Sequence, residues 1–253
     1  MASSSISLTS EVTNLVSVDL SASISVVKTI TSISAVVTPA RFNSYVFLDL
    51  ETTGFITPED PKSRITELSM WAIERQQFLN CNGTRKIPRV TNRLNLCVYP
   101  SKQIDPMASI KSKLDNVNLS HQSQFDEDVG NVVMSFLNRL QKPICMVAHY
   151  GKKFDFPVLK SEMANVGKEF SEDVFCVDSL PVFRVCQRIA RGVPYSYTLE
   201  NVYERIYNDR PEIMHEAEAD VRMLFLAAIA TPGPFLDEVA NQAIPIANID
   251  KCW

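Results

Sequence analysis

The sequence has few of the residues from which soft-metal centres and redox dithiol sites are built. Only three of its 253 residues are histidine, and its six cysteines include no Cys-x-x-Cys pair and no zinc-finger spacing. Such sites need clustered thiols or imidazoles, so this spacing argues against both classes. The cysteines are scattered, mostly among apolar neighbours, which is typical of a reduced intracellular protein.

Net positive charge and long apolar runs are also missing. The formal net charge is −4, so any binding of nucleic acid must depend on a local basic patch or on metal ions. The apolar runs fall far short of the ~20 residues that a membrane span needs, and no charged start precedes an apolar block as in a secretory signal. We therefore expect a soluble intracellular protein, located in the cytoplasm, the nucleus or both.

The start of the chain differs in composition from the rest. Residues 1–40 are rich in Ser, Thr and Val and contain few charges. This composition fits either a disordered extension, which we favour, or an organelle transit peptide, although no arginine precedes Arg41. We divide the chain into a low-complexity N-terminal extension (1–40), a folded domain (41–232) and a C-terminal surface segment (233–253).

Hydrophobic periodicity predicts a single α/β domain with a mixed sheet, because three early strands precede alternating helices and strands. The predicted strands are 42–50, 65–73, 94–100, 144–149 and 174–179. The predicted helices are 129–140, 156–166, a segment from 179 through 188, 198–207 and 217–230. The polar stretch 81–93 is predicted to be the tip of a hairpin between the second and third strands.

The most informative stretch is 45–55 (YVFLDLETTGF), which predicts a buried strand that ends in a turn. Asp49 and Glu51 are two positions apart, so on a strand their carboxylates lie side by side on one face. Neighbouring carboxylates repel each other unless a cation lies between them. The stretch therefore predicts a cation site; the alternative is a strand end with two solvated acids.

Two further acids and one histidine join this set. Asp155 follows a buried strand and opens a helix, where an Asp can also serve only as a cap. Asp220 stands in an apolar helix, where a carboxylate needs a cation. His215 is predicted to lie on the loop before that helix and lean toward the site, where an imidazole suits general-base work. His149, by contrast, is predicted to be a core residue.

Four carboxylates without a cluster of thiols or histidines form an all-oxygen site, which favours Mg²⁺ or Mn²⁺ over Zn²⁺. Two such ions ~3.5–4 Å apart can activate a water molecule and stabilise the leaving oxygen of a phosphodiester. A neutral histidine can take the proton of that water. The residues alone therefore predict metal-assisted phosphodiester hydrolysis.

In their order along the chain, Asp49-x-Glu51, Asp155 and His215-x-x-x-x-Asp220 resemble the DEDDh exonuclease superfamily. Within it, the chain is similar to the three-prime repair exonuclease (TREX) family from residue 43 to about residue 230. The stretches that carry this resemblance are 47–54 (FLDLETTG), 66–68 (TEL), 147–149 (VAH), 154–157 (FDFP), 175–179 (FCVDS), 197–199 (YTL), 202–207 (VYERIY) and 215–220 (HEAEAD).

The resemblance implies an RNase H-like, DnaQ-like exonuclease domain: a mixed β-sheet flanked by α-helices. It implies 3′→5′ hydrolysis of DNA 3′ ends, single-stranded ends preferred, with release of nucleoside 5′-monophosphates and a role in DNA repair. The implied ligands of two Mg²⁺ ions, for which Mn²⁺ can substitute, are Asp49, Glu51, Asp155 and Asp220, and the implied general base is His215. The implied substrate-binding residues are Thr52, Phe55, Lys153 and Phe154.

Some family features are implied less directly by the sequence. A basic DNA-holding loop matches Arg184, Arg188 and Arg191, and a homodimer formed through an edge strand is compatible with the alternation at Leu94, Leu96 and Val98. Tyr150 stands where relatives usually have Asn, so the local hydrogen bonds there need not be kept. The sequence shows no proline-rich insert, and we expect no C-terminal membrane anchor, so partner docking and membrane tethering are not carried over to this chain.

Two other functions remain open at this stage. The same fold also supports RNA-trimming enzymes, and tolerance of the 2′-hydroxyl group is poorly visible in a sequence. A non-catalytic nucleic-acid-binding protein would be marked by loss of ligands. Here all four acids and the histidine are present, so we favour the exonuclease.

Overall fold

The computed structural model describes residues 42–58, 60–187 and 196–253; the predicted extension at 1–40 lies outside them, as do Arg188 and Arg191. The described strands are β1 (Ser44–Thr52), β2 (Ile65–Glu74), β3 (Asn92–Cys97), β4 (Ile144–Ala148), β5 (Val174–Asp178) and β6 (Ile244–Pro245). The described helices are α1 (Arg75–Leu79), α2 (Pro106–Ser112), α3 (Glu127–Asn138), α4 (Asp155–Asn165), α5 (Ser179–Cys186), α6 (Leu199–Tyr207), α7 (Ala217–Ile229), α8 (Pro232–Gln242) and a short 3-10 turn (Ile246–Asn248).

The strands form one mixed sheet in the order β3-β2-β1-β4-β5-β6. β1 pairs antiparallel with β2 and parallel with β4, and β2 pairs antiparallel with β3. β4 and β5 are parallel, while β6 runs antiparallel to β5. The predicted α/β class with a mixed sheet is therefore confirmed, and the first strand lies inside that sheet.

The two faces of the sheet carry separate apolar layers. On one face, Tyr45 and Phe47 of β1 and Trp71 of β2 pack with the buried residues of α5, α7 and α8. On the other face, Val46 and Leu48 pack with α3 and α4. Side chains alternate along a strand, so Asp49 and Glu51 continue the row of Tyr45 and Phe47. The two acids consequently point to the face that α7 covers.

The C-terminal segment is part of the core, which corrects the prediction of a surface segment at 233–253. In α8, Phe235, Leu236 and Val239 are buried, and β6 extends the sheet beside β5. The prolines around Gly233 were misleading, because Pro is compatible with the first turn of a helix, where its missing N–H needs no partner. Among the described residues, no single helix is long and apolar enough to cross a membrane, and α7 and α8 meet that test only as a pair bent by 107°.

Two short helices were not predicted. α1 follows β2 directly, and α2 begins at Pro106 after Asp105, whose side chain caps the helix by accepting from two backbone N–H groups. Both helices have at most seven residues, too few for an apolar period to stand out in the sequence. The third strand also ends at Cys97 rather than at position 100.

Candidate active site

The first two acids lie where β1 extends beyond its parallel neighbour. The pairing of β1 with β4 ends at Phe47, whereas its pairing with β2 continues through Asp49 and Glu51. Opposite these acids on β2 are Ser69 and Glu67, respectively. The end of β1 therefore borders a cleft on one side and keeps its backbone hydrogen bonds to β2 on the other.

Asp155 is brought to the same place by the turn after β4. It is the first residue of α4 and is buried, with an exposed fraction of 3%. Its carboxylate accepts a hydrogen bond from the backbone N–H of Leu50 on β1. Within the described residues, the side chain of the cap residue Phe154 makes no capping hydrogen bond. Asp155 is thus held against β1, and the alternative that it serves only as a helix cap is wrong, because the cap residue of α4 is Phe154.

Asp220 and His215 reach the site from α7. The helix begins at Ala217, so His215 lies on the preceding loop, as predicted. The backbone of His215 has a φ of 61°, a left-handed conformation that is uncommon for residues other than glycine, and its N–H donates to Oδ2 of Asp220 at 3.2 Å. A ring nitrogen of His215 and carboxylate oxygens of Glu51 and Asp220 all lie within 4.8 Å of one another.

The acids raise one another's pKa values. Burial, and then the charges of Asp220, Glu67 and Asp155, raise the pKa of Glu51 to about 8. Burial is also the main cause that raises the pKa values of Asp155 and Asp220 to about 7, and burial and the nearby Asp155 raise the pKa of Asp49 well above its usual range. A bound cation would relieve the repulsion among these carboxylates, and their oxygen atoms fit a hard divalent ion.

A cleft of about 920 Å³ opens over these groups. Asp49, Glu51, His215 and Asp220 line it, together with the predicted substrate-binding residues Thr52, Phe55 and Phe154. Phe55 is 76% exposed, and its ring meets that of Phe154 edge to face with centroids 6.0 Å apart. The cleft therefore presents exposed aromatic surface beside its acids.

The other two predicted site residues stand apart from the described cleft lining. Asp155 lies behind the lining residues, where it contacts β1 and raises the pKa of Asp49. Lys153 is exposed, and its Nζ lies 5.7 Å from the centre of the Tyr150 ring. Of the predicted basic loop, only Arg184 is described; its guanidinium lies 5.6 Å from the centre of the Tyr197 ring.

Sequence reasoning missed three charged residues around the site. Glu67 lies opposite Glu51 and accepts a hydrogen bond from the N–H of Ala217 at 2.9 Å. Lys111 of α2 lines the cleft, lies 6.0 Å from the Phe55 ring and lowers the pKa of Glu51. Asp178 accepts from the backbone N–H of Tyr150 at 2.9 Å. The sequence could have pointed to Glu67, because Glu67 and Trp71 are four positions apart on a predicted strand and so lie on the same face. Nothing in the sequence points to Lys111.

The turn after β4 explains both His149 and the tyrosine that follows it. The ring nitrogens of His149 bond to Ser179 Oγ at 2.9 Å and to the carbonyl of Tyr197 at 2.8 Å, and burial lowers the pKa of this histidine. His149 is half-buried and both of its ring nitrogens bond to other parts of the domain, so it is a structural residue at the edge of the core rather than a fully buried core residue. Tyr150 has a φ of 64°, a region that Asn tolerates better than Tyr. The hydrogen bond to Asp178 uses its backbone, so the tyrosine side chain does not break it.

Comparisons with known proteins give a consistent result. No protein-family model matches the chain. It is 34% identical over 227 residues to three prime repair exonuclease 2 of Mus musculus. The aligned region covers 85% of this chain and 94% of that protein. It is 34% identical over 226 residues to three-prime repair exonuclease 1 of Homo sapiens, covering 83% of this chain and 71% of that protein.

Among solved structures, the chain resembles E. coli exonuclease I. The zinc-bound complex of that enzyme with single-stranded DNA matches with a TM-score of 0.58 and 16% identity, covering 76% of this chain and 42% of that chain. Its complex with a dT13 oligonucleotide matches with a TM-score of 0.56 and 15% identity, covering 74% and 40%. The chain thus spans less than half the length of exonuclease I, and the likeness shows a shared fold.

Proposed function

This chain belongs to the three-prime repair exonuclease family, which confirms the resemblance found in the sequence, and we propose that it is a metal-dependent 3′→5′ exodeoxyribonuclease. It removes nucleotides from DNA 3′ ends and releases nucleoside 5′-monophosphates. The observation that carries this proposal is the meeting of His215, Glu51 and Asp220 within 4.8 Å at the floor of an open cleft.

Divalent metal ions fit this site, and we propose two Mg²⁺ ions, for which Mn²⁺ substitutes. The residues that would hold them are Asp49, Glu51, Asp155 and Asp220. Their raised pKa values indicate that these buried carboxylates need a neighbouring positive charge in order to be ionised. When bound, the ions supply Lewis-acid chemistry that activates water and stabilises the leaving 3′ oxygen of the phosphodiester.

The residues of the chain orient the reactants and move the proton. A ring nitrogen of His215 takes a proton from the attacking water, which general-base catalysis requires to lie within hydrogen-bond reach. The bond from the His215 N–H to Asp220 holds the loop backbone and therefore keeps the imidazole beside the acids. The exposed ring of Phe55 and the half-buried ring of Phe154 supply stacking surface for the terminal base.

We propose single-stranded DNA as the preferred substrate. The terminal nucleotide must leave a duplex before it can reach acids at the floor of the cleft. The similar exonuclease I structures are complexes with single-stranded DNA and with a dT13 oligonucleotide, which supports DNA as the substrate of this chain too.

The proposal is tested with 5′-labelled single-stranded DNA and matched RNA, each incubated with Mg²⁺ and with EDTA. A ladder of shortening DNA that requires Mg²⁺, with the RNA spared, is the expected result. Preferential shortening of the RNA would assign the protein to RNA trimming instead. Binding without cleavage of either substrate would indicate a non-catalytic nucleic-acid-binding protein.

We also propose a homodimer that pairs through β3, and a location in the cytoplasm, the nucleus or both. β3 is an end strand of the described sheet, and Leu94 and Leu96 on it are half-buried. Analytical ultracentrifugation of the wild-type protein and of Leu94→Lys tests the dimer: a dimer of wild type and a monomer of the variant are expected. Imaging of a fluorescent fusion tests the location.

A further inference from the structure

Glu67 occupies a bridging place beside the acids. It lies on β2 directly opposite Glu51 of β1, so the two side chains share one face of the sheet. Its Oε2 accepts a hydrogen bond from the backbone N–H of Ala217 at 2.9 Å. Ala217 is the first residue of α7, the helix that carries Asp220 and follows His215. Glu67 therefore joins the sheet beneath the site to the helix end above it.

The N-terminus of α7 needs an acceptor from elsewhere. The first N–H groups of a helix have no partner within the helix, and a side-chain oxygen of the cap residue usually accepts from one of them. Here the cap residue is Glu216, and among the described contacts its side chain makes no capping bond but pairs with Lys113 at 3.2 Å. Glu67 supplies the missing acceptor from a neighbouring strand, where a carboxylate also suits the positive end of the helix dipole.

This contact fixes two parts of the site relative to each other. Glu51 belongs to the sheet, whereas His215 and Asp220 flank the residue whose N–H Glu67 accepts. We propose that Glu67 is a positioning residue, which holds the first turn of α7 against β2 and thereby sets the distance from Glu51 to His215 and Asp220. This inference rests on the proposed function.

A positioning role differs from a role as an additional metal ligand. Holding the Ala217 N–H requires an acceptor oxygen, which the side-chain amide of glutamine also has. Ligation of a divalent ion by a carboxylate depends on its negative charge, which glutamine lacks. Glu67→Gln and Glu67→Ala therefore separate the two roles. Glu216→Gln is the matched control, because it changes a glutamate at the same helix end whose side chain accepts from no α7 amide in the described structure.

The first measurement is steady-state cleavage of labelled single-stranded DNA with Mg²⁺ by the purified full chain. Glu67→Ala is expected to lower kcat by about 10- to 100-fold, the usual cost of losing a group that orients metal ligands, with KM changed by less than about threefold. Glu67→Gln and Glu216→Gln are expected to stay within about threefold of wild type in both constants.

The second measurement, hydrogen exchange in metal-free protein, does not depend on activity. Amides of the first turn of α7 are expected to exchange faster in Glu67→Ala but not in Glu67→Gln or Glu216→Gln.

Faster exchange with unchanged kcat would mean that Glu67 only caps the helix and does not position the site. A Glu67→Gln variant as impaired as Glu67→Ala would indicate a need for charge. Unchanged exchange in Glu67→Ala would also overturn the inference. Wild-type protein that cleaves nothing would refute the proposed function, while exchange would still decide whether Glu67 holds α7.

Discussion

His215 combines a reactive side chain with a backbone conformation that few residues adopt readily. Its φ of 61° favours Asn over most other replacements, so His215→Asn removes the base with little backbone penalty. We expect this variant to cleave DNA about 10²- to 10⁴-fold more slowly than wild type, the usual contribution of general-base catalysis, with an unchanged melting temperature. Single-turnover cleavage and thermal unfolding measure the two quantities.

His121 offers the matched control for that experiment, since it is an exposed histidine outside the cleft lining of the described structure. His121→Asn is expected to cleave at the wild-type rate. Normal turnover by His215→Asn would remove the histidine from the mechanism. A lower melting temperature would instead mean that the histidine side chain has a structural role.

The raised pKa of Glu51 makes metal-free protein sensitive to pH. Burial and the neighbouring acids raise this pKa from 4.5 to about 8. Between pH 4.5 and about pH 8 the folded state therefore holds a proton on Glu51 that the unfolded state has lost. The free energy of unfolding therefore falls as pH rises through this window. In EDTA at pH 8.5, Glu51→Gln is expected to melt at a higher temperature than wild type, and at pH 5 the two are expected to converge.

Addition of Mg²⁺ at pH 8.5 should reverse that order, because the ions stabilise the wild-type acids and the variant has lost one ligand. Differential scanning fluorimetry at both pH values measures this. Glu172→Gln, which replaces an exposed glutamate, is the control and should follow wild type throughout. A metal-free Glu51→Gln protein that melts lower than wild type at pH 8.5 would contradict the raised pKa.

Individual residues of the site were predictable where local spacing decides their place. The period of a strand puts Asp49 beside Glu51, and the apolar run around Asp220 marks that acid as unusual. Glu67 and Lys111 escaped, because the role of Glu67 depends on the register of β2 against β1 and that of Lys111 on where α2 packs. Register and packing are tertiary facts, which one sequence without its relatives does not contain.

At the scale of elements, strands and long helices were predicted well and the end of the chain was not. Strands β4 and β5 and helices α6 and α7 lie within two residues of their predicted bounds, because their apolar patterns are continuous. The pattern of α8 was hidden by Pro232 and Pro234 at its start. Tertiary packing, which buries Phe235 and Leu236, shows that this segment is a helix of the core.

Helix α8 is therefore expected to support the stability of the domain. The ring of Phe235 is fully buried, with centroids 5.3 Å from Phe183 and 6.4 Å from Phe47. Phe235→Ala should lower the free energy of unfolding by about 3–5 kcal/mol, the usual cost of removing a buried aromatic ring. Urea denaturation followed by circular dichroism measures this loss.

Phe55→Ala is the matched comparison, because this phenylalanine is 76% exposed and borders the cleft. It should leave the urea midpoint unchanged and raise KM for single-stranded DNA, since base stacking contributes about 1–3 kcal/mol per base. If Phe235→Ala unfolds at the wild-type midpoint, α8 is dispensable to the core. If Phe55→Ala leaves KM unchanged, the ring does not contact the substrate.

At the scale of the whole molecule, charge opposes the binding of DNA. The chain carries a net charge of −4, and Asp49, Glu51 and Asp220 line the cleft that must accept phosphates. Among the described lining residues Lys111 supplies positive charge at this place, and the proposed divalent ions would supply more. Binding of DNA should therefore depend on the metal far more than on the overall charge.

This expectation is tested with the His215→Asn variant, which is expected to cleave DNA slowly enough for binding to be measured. Its dissociation constant for labelled single-stranded DNA should be at least about tenfold lower with Mg²⁺ than with EDTA, which corresponds to about 1.4 kcal/mol. Added to this variant, Lys111→Gln should weaken binding and reduce the slope of log K against log salt by about one, because one phosphate contact is lost.

Lys113→Gln in the same background is the control, because this lysine lies two positions along, pairs with Glu216 and is outside the cleft lining of the described residues. It should leave the salt slope unchanged. Equal effects of the two lysines would mean that the field of the whole surface, rather than a contact in the cleft, governs binding. Binding of equal strength in EDTA would mean that the acids of the cleft do not meet the phosphates, and the substrate path would have to lie elsewhere on the molecule.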